Sequence, residues 1–401
     1  MAYALDSWSM MSGLSTPRYL VEYRRRFHAA ELLQELRDLE FRAGQANCFY
    51  GADFLVAAQE TILAREPVSA FLVWRDNGPD LRRLVGFMPG QVRNLAVAPE
   101  FQLLDTRYNP YYEPLIDPDC LTGVVDAVLG LAKERKDLPS IFNFGSLVLG
   151  SPFAETWLKR IIGFGGVNRI VGRYHRPAVN AATGNPTEIK DRLSPKARYR
   201  VKHGLRALSE LGEVRFESLS GTDPGKAQAV SEFLVLESLG WKGSGRTALV
   251  CQADTARFAL KLARSRNLRV ERLMLDGQAI AASLNLTSGR KLFGMKMAYD
   301  ETYAKHSPGT LLAMHLAETF QSNPDVRVLD SGTGGGHHLL RFWPDRIECG
   351  RVISSVSQPG HCPTAITLGL HSVPFVVKDH AKRVRDMVRL HYTGNAQYRP
   401  A

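Results

Sequence analysis

The sequence predicts an α/β protein of the α+β type, built from two copies of one unit whose mostly antiparallel sheet is flanked by helices. Three strand-length segments, 268–276, 279–287 and 291–299, follow one another closely. They are joined by D-G and S-G dipeptides, which are typical of tight hairpins. A weaker version of the same element order occupies the first half. The 401 residues, 44% of them hydrophobic, suffice for two cores.

The C-terminal half, residues 186–358, has the clearer pattern. Asp223 and Pro224 suit the N-cap and first turn of a helix, and glycines close two predicted helices at 212 and 240. The predicted elements are helix 194–212, strand 213–220, helices 223–240 and 247–266, the three strands, helix 309–321, strand 326–330, short helix 338–343 and strand 346–355.

The N-terminal half, residues 1–185, repeats this plan less clearly. Its segment 108–119 occupies the position of 297–309 in the second half, with bulky Y-Y-E-P-L in place of the small S-P-G-T. We therefore expect the first copy to have lost its ligand site. The predicted elements are helices 27–44 and 51–65, strands 70–76 and 83–93, helix 122–135, strand 141–149 and helix 155–165.

The glycine-rich stretch V-R-V-L-D-S-G-T-G-G-G-H-H (326–338) is similar to the cofactor loop of a Rossmann-type methyltransferase. Such a loop ends the first strand of its domain and is followed by a complete doubly wound sheet. Here one convincing strand follows it. The position of the loop therefore excludes a methyltransferase.

The element order resembles the GNAT acyltransferase superfamily, and residues 190–355 resemble its CelD/BcsL-type acetyltransferases, which are related to the FemAB transferases. The resemblance depends on G-W-K-G at 240–243, S-P-G-T-L-L at 307–312 and the loop from Asp330 to Trp343. It implies tandem GNAT domains and an enzyme that moves an acyl group from acyl-CoA, its co-substrate, to an amine.

The start of the helix after the three strands is the predicted coenzyme A site. Free N–H groups and the helix dipole suit a pyrophosphate there. We expect the chain to turn at Gly309 and the helix to start at Thr310. The predicted cofactor-binding residues are Met297, Lys305, His306, Ser307, Gly309, Thr310 and Leu311.

The loop after helix 223–240 and the glycine-rich loop are predicted to hold the acceptor and the catalytic groups. We expect His337 or His338 to take the proton of the attacking amine and Asp330 to orient the histidine, with Glu237 as an alternative base. A backbone N–H from Met295–Ala298 is expected to stabilise the oxyanion. The predicted substrate-binding residues are Trp241, Lys242, Arg246, Tyr299 and Tyr303.

Composition narrows the setting of the reaction. The five cysteines are scattered, and His337, His338, Cys349, His361 and Cys362 lack zinc-ligand spacing, so we expect reduced thiols, a cytoplasmic protein and no metal. The sequence shows neither a secretory signal nor an apolar run that could span a bilayer. The net charge of +11 suits polyanionic partners, among which nucleic acid is the least expected.

The tail, residues 359–401, contains a basic amphipathic helix at 374–392. This helix either docks on the body of the protein or lies on anionic lipid at the inner face of the membrane.

The predicted function is acyl-CoA-dependent N-acylation of a cell-envelope precursor in a bacterium. The acceptor is either a lipid amine such as a sphingoid base, or an amino sugar of an exopolysaccharide precursor. The alternatives are a FemAB-like transferase that uses aminoacyl-tRNA, and a catalytically degenerate subunit of an envelope-synthesis complex.

Overall fold

A computed structural model describes residues 2–4, 18–76, 82–94, 99–180, 189, 191–321, 326–334 and 337–357. The predicted tail helix at 374–392 lies outside the described residues, as do His361, Cys362 and the two glycines at 335 and 336.

The described chain alternates strands and helices in both halves. The strands are β1 (Ala2–Ala4), β2 (Arg18–Arg24), β3 (Ser69–Asp76), β4 (Arg82–Asn94), β5 (Pro99–Leu103), β6 (Leu115–Ile116), β7 (Ile141–Val148), β8 (Val167–Asn180), β9 (Val214–Leu219), β10 (Leu268–Leu275), β11 (Gln278–Ser288), β12 (Lys291–Tyr299), β13 (Val328–Asp330) and β14 (Asp345–Ser355). The α-helices are α1 (Leu33–Arg42), α2 (Ala52–Gln59), α3 (Leu121–Glu134), α4 (Pro152–Gly163), α5 (Pro195–Ser209), α6 (Lys226–Leu239), α7 (Trp241–Ser244), α8 (Ala253–Leu262) and α9 (Pro308–Gln321).

All these strands belong to one sheet, in the order β1-β2-β3-β4-β5-β7-β14-β8-β13-β12-β11-β10-β9, with β6 on β4. The pairs β5–β7 and β12–β13 are parallel, and the other pairs are antiparallel. Each half repeats a run of four strands, and a helix then connects the two strands of its parallel pair: α3 connects β5 to β7, and α9 connects β12 to β13. The last strands are exchanged: β14 of the second half pairs with β7, and β8 of the first half pairs with β13.

The predicted fold class is confirmed, and each helix and strand predicted in the second half has a counterpart there. The helix predicted at 247–266 divides into a 3-10 turn at Leu249–Cys251 and α8, and the one at 338–343 is a 3-10 turn, His338–Arg341. Five strands were missed: β1, β2, β5, β6 and β8. The predicted domain boundary between 185 and 186 falls in the connection from β8 to α5 and stays a prediction.

Aromatic rings join the two halves into one core. Phe54 of α2 meets Phe258 of α8 edge-on, with ring centroids 5.2 Å apart. Phe49 and Tyr111 each lie 5.3 Å from Phe293 of β12. Full burial of one such ring contributes about 1.5–3 kcal/mol. The halves are therefore fixed relative to one another around β12.

The parallel pair β12–β13 is short, and this shortness creates the site. Pairing covers only Lys291–Phe293 on β12 and Val328–Asp330 on β13. Beyond Phe293, β12 continues for six residues with β11 on one side only. The second edge of β12 is open there.

Candidate functional site

A cavity of about 620 Å³ lies along this open edge of β12. Its walls come from β11, β12, the start of α9, the α7 loop and the glycine-rich loop. The residues predicted from the sequence that line it are Trp241, Lys242, Met297, Tyr299, Ser307, Gly309, Thr310, His337 and His338.

The backbone of β12 presents hydrogen-bonding groups to the cavity. In an antiparallel pair, alternate residues bond the partner strand, and the residues between them turn both N–H and C=O away from it. Asp300 donates its N–H to the Ile280 carbonyl of β11 at 2.8 Å. Ala298, two residues earlier, therefore also bonds β11, and Met297 is one of the residues that turn away from it. The Met297 carbonyl indeed accepts from Lys242 Nζ at 2.5 Å. The Met297 N–H therefore points to the open edge.

The start of α9 differs from the prediction by two residues. The helix begins at Pro308, and the left-handed residue is Ser307 (φ 57°, ψ 49°), not Gly309. Thr310 and Leu311 donate their N–H groups to the Ser307 carbonyl, at 2.9 and 3.1 Å. Since proline has no N–H, Gly309 supplies the first-turn amide that these two bonds leave unused.

Gly309 is small because α9 approaches β12 closely. A Cβ on Gly309 would lie 3.2 Å from Tyr299 Cδ1 and 3.3 Å from Met297 Sδ. These side chains therefore project toward α9. Lys296 directly precedes Met297 on the strand and projects to the opposite face, where it reaches α6. The cavity thus connects an α9 face and an α6 face across the open edge.

On the α6 face, two lysines share one buried carboxylate. Oε1 of Glu237 lies 2.9 Å from Lys296 Nζ and 3.5 Å from Lys242 Nζ. Its Oε2 accepts the N–H of Leu249 at 2.8 Å. Both carboxylate oxygens are thus engaged, Oε1 with the two lysines and Oε2 with a backbone amide. The expectation that Glu237 is an alternative base stays a prediction. Burial lowers the pKa of Lys242 more than Glu237 raises it.

The two histidines lie side by side, with ring centroids 4.3 Å apart. His337 caps the 3-10 turn, because its Nδ1 accepts the Leu339 N–H at 3.3 Å. The neutral ring then carries its proton on Nε2 and has no free lone pair for another. Burial, His338 and Lys242 together lower the pKa of His337 to about 4. His338 has no such bond among the described residues, and its pKa is lowered by partial burial and by Arg341. His338 is the better proton acceptor.

Asp330 does not orient a histidine in the described structure. Its Oδ2 accepts from Arg176 of β8 at 2.8 Å, and Oδ1 accepts the N–H of Gly332 at 3.0 Å. The Arg176 guanidinium, also completely buried, donates in addition to the Pro110 carbonyl. Asp330 therefore holds the glycine-rich loop against the first half, and its predicted catalytic role is corrected to a structural one.

Gly332 shapes this loop. Its φ is +64°, and a Cβ there would collide with the Gly294 carbonyl of β12. Only glycine combines this backbone conformation with so close an approach. The loop can thus pass directly over the end of the parallel pair.

The remaining predicted residues lie outside the cavity wall. Lys305 and His306 belong to the 3-10 turn Glu301–His306, before Ser307. Leu311 and Tyr303 pack in a small core, and Arg246 is exposed beyond α7. Six polar lining residues were missed: Arg200, Ser283, Asn285, Lys296, Ser331 and Thr333. The alternation along β11 and β12 was visible in the sequence, but which face met the cavity depended on the open edge.

Within the described ranges, no group of three or more His, Cys, Asp or Glu residues could hold a metal ion. The described helices are also all too short or too polar to cross a membrane.

Residues 195–338 match a family model described as acetyltransferase (GNAT) domain. The C-terminal domain (DUF2156) of a putative lysylphosphatidylglycerol synthetase from Agrobacterium fabrum is similar in structure, with a TM-score of 0.53, 12% identity, and coverage of 84% of this chain and 95% of that one. FemX is similar with a TM-score of 0.55 and 9% identity, over 83% of this chain and 96% of that one. A Bacteroides thetaiotaomicron protein of unknown function has a TM-score of 0.50 and 9% identity, over 84% and 100%. No curated protein matches the sequence.

The family match covers α5 through the glycine-rich loop, and therefore every wall of the cavity except Leu339 and Trp343. The structural neighbours share the fold over both halves. The chain therefore carries an acetyltransferase domain of the GNAT superfamily, and its fold over both halves is similar to that of FemX.

Proposed function

We propose that the protein is an acyl-CoA-dependent N-acyltransferase that acts on an amine of a cell-envelope precursor. One observation carries the proposal: the open edge of β12, where the Met297 N–H faces a cavity bordered by the start of α9 on one face and by Lys242 of α7 and Lys296 on the other. The donor enters from the α9 face with its phosphates near Gly309 and the helix dipole. The acceptor enters from the α6 face.

In the reaction, the nitrogen lone pair of the amine attacks the thioester carbonyl and forms a C–N bond. The carbonyl oxygen takes the negative charge, and the Met297 N–H stabilises it. The intermediate then collapses, the C–S bond breaks, and coenzyme A leaves as the thiolate. His338 accepts the proton of the attacking nitrogen and returns it to the thiolate, so that an amide and free coenzyme A are the products.

The acceptor in this proposal is an amino sugar of a glycan precursor or a lipid amine, as the CelD/BcsL resemblance implies. The reaction is placed in the cytoplasm, at the inner face of the membrane. The net charge of +11 and the exposed Trp241 at the cavity support contact with an anionic lipid surface.

Calorimetric titration of acetyl-CoA and palmitoyl-CoA tests the donor. Gly309→Val should weaken binding more than tenfold, because its side chain presses on Met297 and Tyr299 where the donor must approach the backbone. Gly163→Val in α4 is the matched control, since a Cβ there has no neighbour within 4 Å. Unchanged affinity in folded Gly309→Val would move the donor elsewhere.

Aminoacyl-tRNA is the second candidate donor, and α5 favours it. This helix exposes the basic side chains of Lys196, Arg198, Arg200, Lys202 and Arg206, and Arg200 reaches the cavity. RNA binding that weakens steeply with salt, together with no acyl-CoA binding, would select this donor. Binding of neither donor would favour the degenerate subunit.

A further inference from the structure

The wall of the cavity is cationic. Its basic members are Arg200, Lys242, Lys296, His337 and His338, and none of the described residues that line it is an Asp or a Glu. An amine substrate reaches an enzyme as an ammonium ion near neutral pH. A simple ammonium would meet the like charges of Arg200, Lys242 and Lys296 here.

The positive charge is concentrated in a cluster that its own carboxylate does not neutralise. Lys242 and Lys296 are both mostly buried, with 20% and 16% of their side chains exposed. Glu237 is their shared counter-ion, so the three groups carry a net charge of +1. A buried excess charge is costly unless a counter-ion completes it.

This cluster is not the binding site of the donor's phosphates. Those phosphates are assigned to the start of α9, beside Met297 and Tyr299. Lys296 directly precedes Met297 on β12, so its side chain projects to the other face, toward α6. An anion that completes the cluster therefore enters with the acceptor.

Hydrogen-bonding groups accompany the cluster on the cavity wall. Ser283 and Asn285 of β11 are joined by a 2.9 Å bond, and Ser331 and Thr333 of the glycine-rich loop lie 3.0 Å apart. These hydroxyl and amide groups suit a small polar acceptor better than an alkyl chain.

We propose that the acceptor is an anionic amine, in which a phosphate or carboxylate a few bonds from the nitrogen binds between Lys242 and Lys296. The inference rests on the proposed function and names its substrate class. The same cations lower the pKa of the bound ammonium, because like charge disfavours the protonated form. The cationic wall thus both selects the acceptor and assists its deprotonation.

Matched amines test the proposal: phosphoethanolamine and β-alanine against ethanolamine, and glucosamine 6-phosphate against glucosamine. Equilibrium binding is measured by calorimetry, and coenzyme A release from acetyl-CoA gives KM. Each anionic amine should bind at least tenfold tighter than its counterpart without the anionic group. Comparison of phosphoethanolamine with β-alanine decides between phosphate and carboxylate.

Variants assign the preference to the cluster. Lys296→Met should reduce the preference to less than threefold, whereas Lys296→Arg, which keeps the charge, should retain most of it. Lys159→Met on the exposed face of α4 removes one charge far from the cavity and should leave the preference intact. Thermal unfolding of each variant verifies that it is folded.

Equal binding of the amines with and without an anionic group, or a preference that survives Lys296→Met, would overturn the inference. Tighter binding of sphinganine than of sphinganine 1-phosphate would do the same. If the protein binds acyl-CoA but does not discriminate among amines, only this inference fails. If it prefers anionic amines but binds no acyl-CoA, the proposed donor fails and the anion site stands.

Discussion

The two halves share one topology, but the gap beside their parallel strands is open in the second half and filled in the first. In the second half the gap between β12 and β13 is the cavity. In the first half β5 and β7 also pair over only three positions, but the Tyr112 ring packs against Gly145 of β7, where a Cβ would lie 3.0 Å from the ring. Tyr112 is only 7% exposed. The first half has its gap filled by its own side chain.

The helix that begins beside each gap shows the same difference. Asp117 caps the turn before α3: its carboxylate accepts the Asp119 N–H and pairs with Arg42. The first turn of α9 has no acidic residue. A helix start that already holds a carboxylate has less capacity for a phosphate. The unit thus keeps its fold in both copies, while ligand binding requires that the gap and the helix start stay empty.

The largest expected effect concerns the base, which only the second half supplies. His338→Ala should lower kcat by about 10²–10⁴ with little change in acyl-CoA affinity, because the phosphates bind on the α9 face. His337→Ala should cost less, since its Nδ1 is engaged and its pKa is about 4. Stopped-flow or steady-state turnover between pH 6 and 9 measures both. A double variant with full turnover would remove both histidines from the mechanism and leave the proton to water.

A proline on β12 tests the oxyanion amide. Met297→Pro deletes an N–H that the β11 ladder does not use, so the sheet should persist while kcat falls by about 10²–10³. Met297→Leu keeps the amide and is the control. Acyl-CoA affinity, measured separately, should change far less than kcat. Normal turnover in the proline variant would place the oxyanion donor elsewhere.

Emptying the gap of the first half is a direct test of the comparison. Tyr112→Ala should destabilise the protein by about 3 kcal/mol, because a large buried ring leaves a cavity. Turnover should change less than twofold, and calorimetry should still find one acyl-CoA per chain. A stoichiometry of two would show that the tyrosine alone silences the first copy.

The smallest expected effect is a difference in the pH dependence of the stability that each half contributes. Burial raises the pKa of Glu113 to about 7, so the stability that this group contributes is present below its unfolded pKa and is lost as pH rises through 7. Glu113→Gln should therefore raise Tm by about 2–4 °C at pH 8 and have little effect at pH 5.

In the second half, the lowered pKa of His337 acts in the opposite direction: stability is lost as pH falls from about 6.5 toward 4. A His337→Asn variant, which keeps a capping side chain, should lose less Tm over that range.

Local patterns predicted the second half well because its hairpins and helix caps are encoded within a few residues. β8 was missed although its sequence alternates, with exposed Arg169, Arg173 and His175 on one side. The pairing of Arg176 with Asp330 could not be foreseen without β8, because these residues are 154 positions apart. Asp330 therefore appeared free for catalysis.

The site residues divide in the same way. Those carried by short motifs, such as Trp241, Lys242, Gly309 and the two histidines, do line the cavity. Lys296 and Asn285 were missed because their placement depends on a bulge in the pairing of β11 with β12, after Leu284. The role of Glu237 depends on which lysines surround it, which is a property of tertiary structure.

The exchange of β8 and β14 has a consequence for synthesis on the ribosome. β7 acquires its partner β14 only when residues 345–355 emerge, about two hundred residues after β7 itself. Until then the first half exposes an unpaired strand edge, which is prone to wrong pairing. A nascent chain truncated before residue 345 should accordingly be protease-sensitive along its whole length, and separately expressed halves should regain order only when mixed.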